Sequence, residues 1–429
     1  MPHLQIHLHS PLHDSFRVRQ VAGMFDLPLR DCVEERFDVE LPDESESWQI
    51  GAIVGPSGSG KTAVARHAFA ENLYRGQPWP TDRAVIDCFG DLPIKQITHA
   101  LTAVGLGSPP SWLKTFEVLS NGEKFRCELA RALLCRSECN PESANEKLKM
   151  KNEKCEDPDP SFFTEHANGK LTAKNEKSGD PHFSFSIFHF SFGPTVVFDE
   201  YSSFVDRTVA RISSAAIARA IRSGKFATRF VAVTCHKDVL PWLAPDWVLD
   251  MSSGKLARGS AARPPIHLKI RKAQRDEWNL FCRHHYLSGS LHRAAQCYIA
   301  QYDGQPAAFC AALPFPHPRR PGWREHRTVC LPDFQGVGIG HALAEFVASL
   351  YVATGKPYFS RSSHPAILRH RASSPLWKMT CRPGLVRPIS ASGRERTGLQ
   401  QTLSAMRLTT GFEYVGPPRH EAAKRLRIP

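Results

Sequence analysis

The chain reads as an α/β protein built in two halves, and three observations give that class. In the first half an apolar run, Ile50 to Val54, feeds the loop Gly55-Pro56-Ser57-Gly58-Ser59-Gly60-Lys61-Thr62, and a helical pattern from Ala63 to Tyr74 follows. In the second half a strand pattern again feeds a glycine loop, Gln335-Gly336-Val337-Gly338-Ile339-Gly340, and then a long helix through Val352. Third, 429 residues exceed one ordinary domain, and the formal net charge of +13 is divided unevenly along them. From Arg263 onward there are 25 Lys+Arg against 9 Asp+Glu, a net +16, while the remainder carries −3. Twenty of those 25 cations are arginine, whose planar fork suits phosphate, which reads either as a partner polyanion or anionic cofactor, or as a solvated basic surface and a codon bias towards arginine.

Composition narrows the class further. A hydrophobic content of 41% with 10% aromatics describes a globular chain with sizeable cores. No apolar run approaches the roughly 18 residues of a membrane span, and Met1-Pro2-His3-Leu4-Gln5 does not open a signal peptide, so a cytoplasmic protein with no membrane partner is expected. Twelve cysteines without a C-x-x-C pair favour reduced thiols, with no metal held by cysteine.

The first glycine loop has a direct chemical reading. Glycines let successive backbone N–H groups turn inward around phosphates, Lys61 reaches the outer phosphates, and Thr62 offers a hydroxyl to Mg2+. Before it, Phe37 to Leu41 alternates as a half-buried strand and Asp43-Glu44-Ser45-Glu46-Ser47 reads as a turn. After it come an expected strand, Ala84 to Phe89, and a helix, Ile94 to Val104. Leu119-Ser120-Asn121-Gly122-Glu123 then opens a helix over Lys124 to Leu134 with Phe125, Leu129, Ala132 and Leu133 on its apolar face. Thr195 to Phe198 is an apolar strand ending in the paired carboxylates Asp199 and Glu200. A last strand, Phe230 to Thr234, delivers His236.

These motifs, in this order, resemble those of ABC-type ATPases over residues 1–258. Ser120 to Glu123 resembles the family signature, with Asn121 and Glu123 departing from its commonest form. Tyr201 to Asp206 resembles the D-loop, and His236 the switch histidine. The resemblance implies ATP bound by Gly55, Ser57, Gly58, Gly60, Lys61 and Thr62, with Mg2+ held by Thr62 and Asp199. It further implies catalysis by Glu200, His236 and Lys61, and a composite site in which Ser120 and Gly122 act on the nucleotide of a second copy. An ATP-dependent homodimer is therefore expected. No glutamine stands near Phe89-Gly90-Asp91 where the family has its Q-loop, and Phe25 is the first choice for the adenine-stacking aromatic.

Residues 137–192 do not fit this domain. The segment is polar and repetitive, Lys151-Asn152-Glu153-Lys154 recurring as Lys174-Asn175-Glu176-Lys177, and it closes on the aromatic run from Phe183 to Phe192. Codons for Asn-Glu-Lys and Phe-Ser-Phe can be reverse complements in a shifted frame, so a translated inverted-repeat insertion is expected, without packed structure. The rival reading takes the aromatic run as a genuine strand or as a partner-binding segment.

Met251 to Pro265 reads as a linker, with the boundary at residues 259–265, and a new domain starts at Ile266. Ile266 to Ile270 alternates as a strand, and a helical pattern carries Trp278 and Phe281. Cys297 to Ala300 and Ala307 to Leu313 read as paired strands about the turn Asp303-Gly304. His326 to Leu331 leads into the second glycine loop, whose helix buries Leu343, Phe346, Val347 and Leu350. This Q-x-x-G-x-G loop after a strand resembles that of the GNAT acyltransferases over residues 266–429. The resemblance implies acetyl-CoA, or another acyl-CoA, bound by Gln335, Gly336, Gly338 and Gly340. It also implies a strand at Lys356 to Ser360 that splays from Arg327 to Leu331, and a terminal strand at Gly411 to Gly416. Candidates for moving the amine and thiol protons are Tyr358, His364 and His285, the last within His284-His285-Tyr286. That histidine-tyrosine run, with Arg327 and the basic surface, faintly resembles phage Mom-like DNA-modifying proteins. The sequence therefore points to an ATPase fused to an acyltransferase acting on DNA or RNA. The alternatives are an ATP-driven nucleic-acid clamp with a non-catalytic ligand domain and an ATP-regulated acyltransferase of proteins or small amines.

Overall fold

The computed structural model describes the chain except residues 1–2, 12–14, 27–31, 44, 135–193, 260–261, 287–288 and 386–407, with the side chains of 8–11, 32–35, 383–385 and 408 also left aside. The segment expected to be an insertion, 137–192, lies outside the described residues. The described residues belong to one compact unit carrying three sheets.

In the first half, β1 (His3–Pro11) pairs antiparallel with β2 (Cys32–Glu40), joined through helix α1 (Phe16–Met24). The main sheet runs β4-β5-β3-β6-β7, from β3 (Ile50–Val54), β4 (Thr195–Phe198), β5 (Arg229–Thr234), β6 (Trp247–Asp250) and β7 (Lys255–Arg258). The first four of these strands in spatial order are parallel and β7 is antiparallel. β3 is buried along its whole length, as a strand covered on both faces must be, which is why its sequence is a continuous apolar run. Helix α2 (Lys61–Ala68) packs with β1 and β2 on one face. On the other lie α3 (Ile94–Ala103), the short α4 (Pro109–Trp112), α5 (Asn121–Leu134) and α6 (Arg207–Arg222), followed in sequence by α7 (Leu240–Leu243).

The second sheet has seven strands, ordered β13-β14-β12-β11-β10-β9-β8. Its members are β8 (Lys269–Lys272), β9 (Gln296–Tyr302), β10 (Gln305–Phe315), β11 (Gly322–Cys330), β12 (Tyr358–Ser362), β13 (Trp377–Leu385) and β14 (Leu408–Tyr414). Helix α8 (Ile339–Val352) covers one face with Leu343, Val347 and Leu350, while α9 (Pro365–Ser373) and α10 (His420–Arg425) flank it. Phe281 and Trp278 cover the other face against Phe309.

α6 explains how the halves hold together. Eleven of its sixteen residues are buried, all round the helix rather than on one stripe. Ala210, Ile217 and Ile221 join the core of the five-stranded sheet, whereas Ile212 and Ala215 join the cluster containing Leu343 and Val347 of α8. Burying a residue such as Ile212 contributes about 1.5–3 kcal/mol, so the shared core is a substantial part of the stability of both halves.

Four local expectations are corrected. The helix after Thr62 ends at Ala68, not Tyr74, and Leu73 instead forms a bridge with Val197. The strand expected at Ala84 to Phe89 is a 3-10 turn, Val85–Asp87, because its buried residues, Val85 and Phe89, sit four apart on one helical side. Trp278 likewise stands on a 3-10 turn, Asp276–Leu280. The stretch read as a linker from Met251 begins with a hairpin, since Asp250 pairs with Lys255 and closes β7 onto β6.

Candidate functional site

The phosphate-loop residues, Asp199, Glu200 and His236 stand together at the carboxyl ends of neighbouring parallel strands. The glycine loop follows β3, Asp199 and Glu200 follow β4, and His236 follows β5, and these three strands are neighbours in register. Carboxyl ends of parallel strands are where such sheets offer ligands a crevice. Gly58 and Gly60 hold φ of 78° and 80°, the left-handed region that favours glycine, and Gly60 is the N-cap of α2. A methyl at Gly60 would lie 2.3 Å from the Phe37 ring, so the loop is also clamped from β2. Lys61 is 8% exposed and its Nζ donates to the Pro56 carbonyl at 2.7 Å, folding the side chain back over the loop. Thr62 Oγ1 donates to Asp199 Oδ1 at 3.2 Å, joining residues 137 apart in sequence. Glu200 has φ of 50°, a conformation a non-glycine residue rarely adopts, and its carboxylate accepts from Ser203 Oγ at 2.6 Å. The backbone N–H of His236 donates to Thr234 Oγ1 at 3.1 Å.

Ser120 and Gly122 do not join that group by any contact among the described residues. They open α5 with a capping box. Ser120 Oγ accepts from the Glu123 N–H at 3.3 Å, while Glu123 Oε2 accepts from the Ser120 N–H at 3.0 Å. Glu123 also accepts from Ser111 Oγ at 2.7 Å, which gives the glutamate of the motif a structural use. Ser120 is exposed; Gly122 is buried, and a methyl there would meet Val209 at 3.0 Å and Asp333 Oδ1 at 3.3 Å. Phe25 is 67% exposed at the end of α1.

In the second half, β11 and β12 run parallel but pair only at Trp323 with Tyr358 and Arg324 with Phe359. Beyond Glu325 they splay, as expected, and a bulge against Ala311 and Ala312 turns β11 at His326. The gap widens into a cavity of about 400 Å3 whose walls include Thr328, Val329, Cys330, the loop from Gln335 to Gly340, and the start of α9. Gly336 and Gly338 take φ of 90° and 95°, and Gly338 is the N-cap of α8. The Gln335 side chain spans the loop, Nε2 donating to the Cys330 carbonyl at 2.7 Å and Oε1 accepting from the Gly107 N–H at 2.6 Å.

Of the proton-transfer candidates, His285 and His364 line this cavity and Tyr358 does not. Tyr358 is fully buried, stacked on Tyr351 at 5.7 Å, and burial drives its phenol well above the usual range, so it stays protonated. His364 Nδ1 accepts from the Ala366 N–H at 3.3 Å as the cap of α9, and Nε2 lies 3.2 Å from the Gly107 carbonyl. Burial lowers its pKa, and the nearby Arg369 lowers it further, against a raising effect of the Gly107 carbonyl. His285 stacks on Tyr286 at 5.2 Å and meets Trp278 edge-on at 5.8 Å. Arg327 is 6% exposed and donates to the carbonyls of His326 and Ser290.

Sequence reasoning missed a buried pair behind the splay. Arg371 Nη2 donates to Glu325 Oε2 at 2.6 Å, with Thr328 donating to the other oxygen and Arg371 also held by Ser360. Burial pushes the Glu325 pKa up, but Arg371 and the hydrogen bonds outweigh it and the carboxyl lies below the usual range. His341 also lines the cavity. Burial first, then the neighbouring His370, Arg371 and Arg219, bring its pKa down to about 3, so it is neutral near pH 7. Among the described residues no group of three or more His, Cys, Asp or Glu could hold a metal ion, and no helix is long and apolar enough to cross a membrane.

Residues 265–364 match the family model described as the acetyltransferase (GNAT) family. The chain carries a GNAT acetyltransferase domain. Among solved structures, a Bacillus subtilis acetyltransferase in complex with CoA is 12% identical, covering 35% of this chain and 98% of its own, with a TM-score of 0.26. The ribosomal-protein-S18-alanine N-acetyltransferase from Escherichia coli is 12% identical over 34% of this chain and 93% of its own, also at 0.26. An ATP-binding cassette in a dimeric post-hydrolysis state bound to ADP and Pi is 11% identical over 56% of this chain and 95% of its own, at 0.33. No curated protein sequence matches the chain.

Proposed function

We propose that the protein joins an ATP-hydrolysing, ABC-type half to an acyl-CoA-dependent N-acyltransferase that acts on nucleic acid. The observation that carries the transferase reading is the cavity between the splayed strands and the glycine loop, lying in large part within the segment that matches the family. Its volume of about 400 Å3 falls in the range of small-molecule sites, and its residues fit an acyl-CoA. Gly336, Gly338 and Gly340 leave backbone N–H groups of the loop and of the α8 N-terminus for a pyrophosphate, and the unpaired edge of β11 at Thr328 to Cys330 offers an amide-bearing arm a strand to pair with. When bound, the acyl-CoA supplies an activated thioester. The chain supplies neutral imidazoles at the cavity, His284 and His364, whose pKa values burial lowers first. Either can accept the proton of an attacking amine once its acceptor nitrogen releases its present donor, Arg283 Nε–H on His284 or the Ala366 N–H on His364. Tyr358 faces the core in this reading and keeps the strands in place.

In the first half, Lys61 and the loop N–H groups hold the phosphates of ATP. The Thr62 hydroxyl and Asp199 carboxylate, 3.2 Å apart, are hard oxygen donors that suit Mg2+, which when bound would neutralise phosphate charge. Glu200 orients the attacking water and His236 contacts the outer phosphate. Ser120 and Gly122 complete the site of a second copy. Two exposed apolar side chains flank these motifs, Phe204 at 80% beside Glu200 and Val118 at 66% before Ser120, as a face that closes on a partner would require. The net charge of +16 from Arg263 onward supports a DNA or RNA acceptor.

Incubation with labelled acetyl-CoA and mixed DNA, RNA and protein tests the reading: label is expected on nucleic acid. A second reading, a clamp whose acyltransferase fold binds without transferring, is favoured by one observation, that both nitrogens of His364 are engaged within the chain. It predicts saturable acetyl-CoA binding with no label anywhere.

A further inference from the structure

The cavity that borders the second glycine loop is not built by the acetyltransferase domain alone. His99, Thr102, Arg219 and Lys225 of the first half form part of its wall. The approach is close: a methyl at Gly336 would lie 2.7 Å from the Ala216 side chain of α6 and 2.8 Å from Gly105, and one at Gly338 would lie 3.2 Å from Arg219 Nη1. Both glycines therefore admit the first half against the loop as well as leaving N–H groups for a ligand.

Four of the lining residues are Lys or Arg: Arg219 and Lys225 from the first half, and Arg369 and Arg371 from α9, of which Arg371 is paired with Glu325. Among the described residues Arg219, Lys225 and Arg369 have no acidic partner, although many other basic side chains, Arg371 with Glu325 among them, do. Arg219 and Arg369 lower the pKa of Lys225, after burial, and Arg369 and Lys225 do the same to His99. Like charges gathered at a cavity without counter-charges repel, and the arrangement gains stability when an anion enters.

We propose that Arg219 and Lys225, borrowed from the ATPase-like half, complete with Arg369 the phosphate-binding end of the acyl-CoA cavity. The inference rests on the acyl-CoA reading above and adds to it the identity of the cations. The glycine loop contains no lysine or arginine of its own, so its N–H groups would meet a pyrophosphate with only half a helix charge of compensation. Arg219 stands over Gly338 at the α8 N-terminus, where a pyrophosphate held by those N–H groups would lie, and Lys225 and Arg369 extend the same positive wall.

The test is calorimetric titration of acetyl-CoA, and of 3′-dephospho-CoA, into the full-length chain and its Arg219→Ala, Lys225→Ala and Arg219→Lys variants, with Lys378→Ala as a surface control. Each alanine variant is expected to weaken acetyl-CoA binding roughly 10- to 100-fold, the range for a hydrogen bond to a charged group, and to flatten its salt dependence. Arg219→Lys is expected to recover part of the loss, and Lys378→Ala to change nothing. If one alanine variant weakens acetyl-CoA but not 3′-dephospho-CoA, that cation serves the 3′-phosphate; equal weakening of both assigns it to the pyrophosphate. Wild-type affinity in both alanine variants overturns this inference and leaves the acyl-CoA reading standing. No binding of acetyl-CoA by the wild-type chain overturns the acyl-CoA reading itself.

Discussion

The two glycine loops of this chain look alike locally and differ in how they obtain positive charge. Both follow a strand, both end in a glycine of positive φ that caps a helix, Gly60 at 80° and Gly338 at 95°, and both present N–H groups at a helix start. The first loop carries its own cation, Lys61, folded over it onto the Pro56 carbonyl. The second carries none, and Arg219 reaches it from a helix more than a hundred residues earlier. A self-contained loop works in any surroundings that bury its strand. One that borrows its cations works only while the neighbouring half is docked, so under the proposal above binding at the second loop would depend on the α6 interface.

The largest effect is expected where the comparison is starkest. Lys61→Ala should lower ATP turnover by a hundredfold or more, about the loss seen when one charge-stabilising donor is removed from a reacting centre, with acetyl-CoA affinity unchanged; steady-state phosphate release reads the first and calorimetry the second. Next, Arg371→Leu should destabilise the fold by about 3–5 kcal/mol, because Glu325 is left as an uncompensated buried charge, and Glu325→Leu placed on top should recover much of the melting temperature. Gly338→Ala would adopt a left-handed conformation at a cost of about 1–2 kcal/mol and press on Arg219, so acetyl-CoA binding should weaken by about tenfold. Gly60→Ala, which would meet Phe37, should weaken ATP binding at least as much and spare acetyl-CoA.

The smallest expected effect is a pH dependence. His341 has a folded pKa of about 3 against an ordinary value of 6.5, so between those values the unfolded chain binds a proton that the folded chain does not. Stability should therefore fall as pH drops from 7 towards 5, and His341→Gln should flatten that slope in thermal melts. Glu325, whose pKa is lowered on folding, contributes stability of the same sign at more acidic pH, lost as its carboxylate is protonated.

What could be read from the sequence was what the chain determines locally. Ile50–Val54, Thr195–Phe198 and Arg229–Thr234 announced themselves because a parallel strand covered on both faces must be continuously apolar. The splay of β11 from β12 was legible through the resemblance, and the pairing of only two residues bears it out. The Val85 turn was misread because a short, largely apolar run of six residues does not separate a strand from a helical turn with Val85 and Phe89 inward. Glu325 with Arg371 and Gln335 with Gly107 were beyond reach for another reason. Their partners are 46 and 228 residues apart, and nothing in either neighbourhood marks a polar side chain as paired rather than solvated.

Paired titrations of ATP and acetyl-CoA into the Lys61→Ala and Gly338→Ala chains test the central claim most directly, that the two loops serve two different phosphate ligands. The account predicts a crossed result: Lys61→Ala loses ATP and keeps acetyl-CoA, whereas Gly338→Ala keeps ATP and loses acetyl-CoA affinity. Loss of both ligands in either folded variant, or of acetyl-CoA in Lys61→Ala alone, would contradict it.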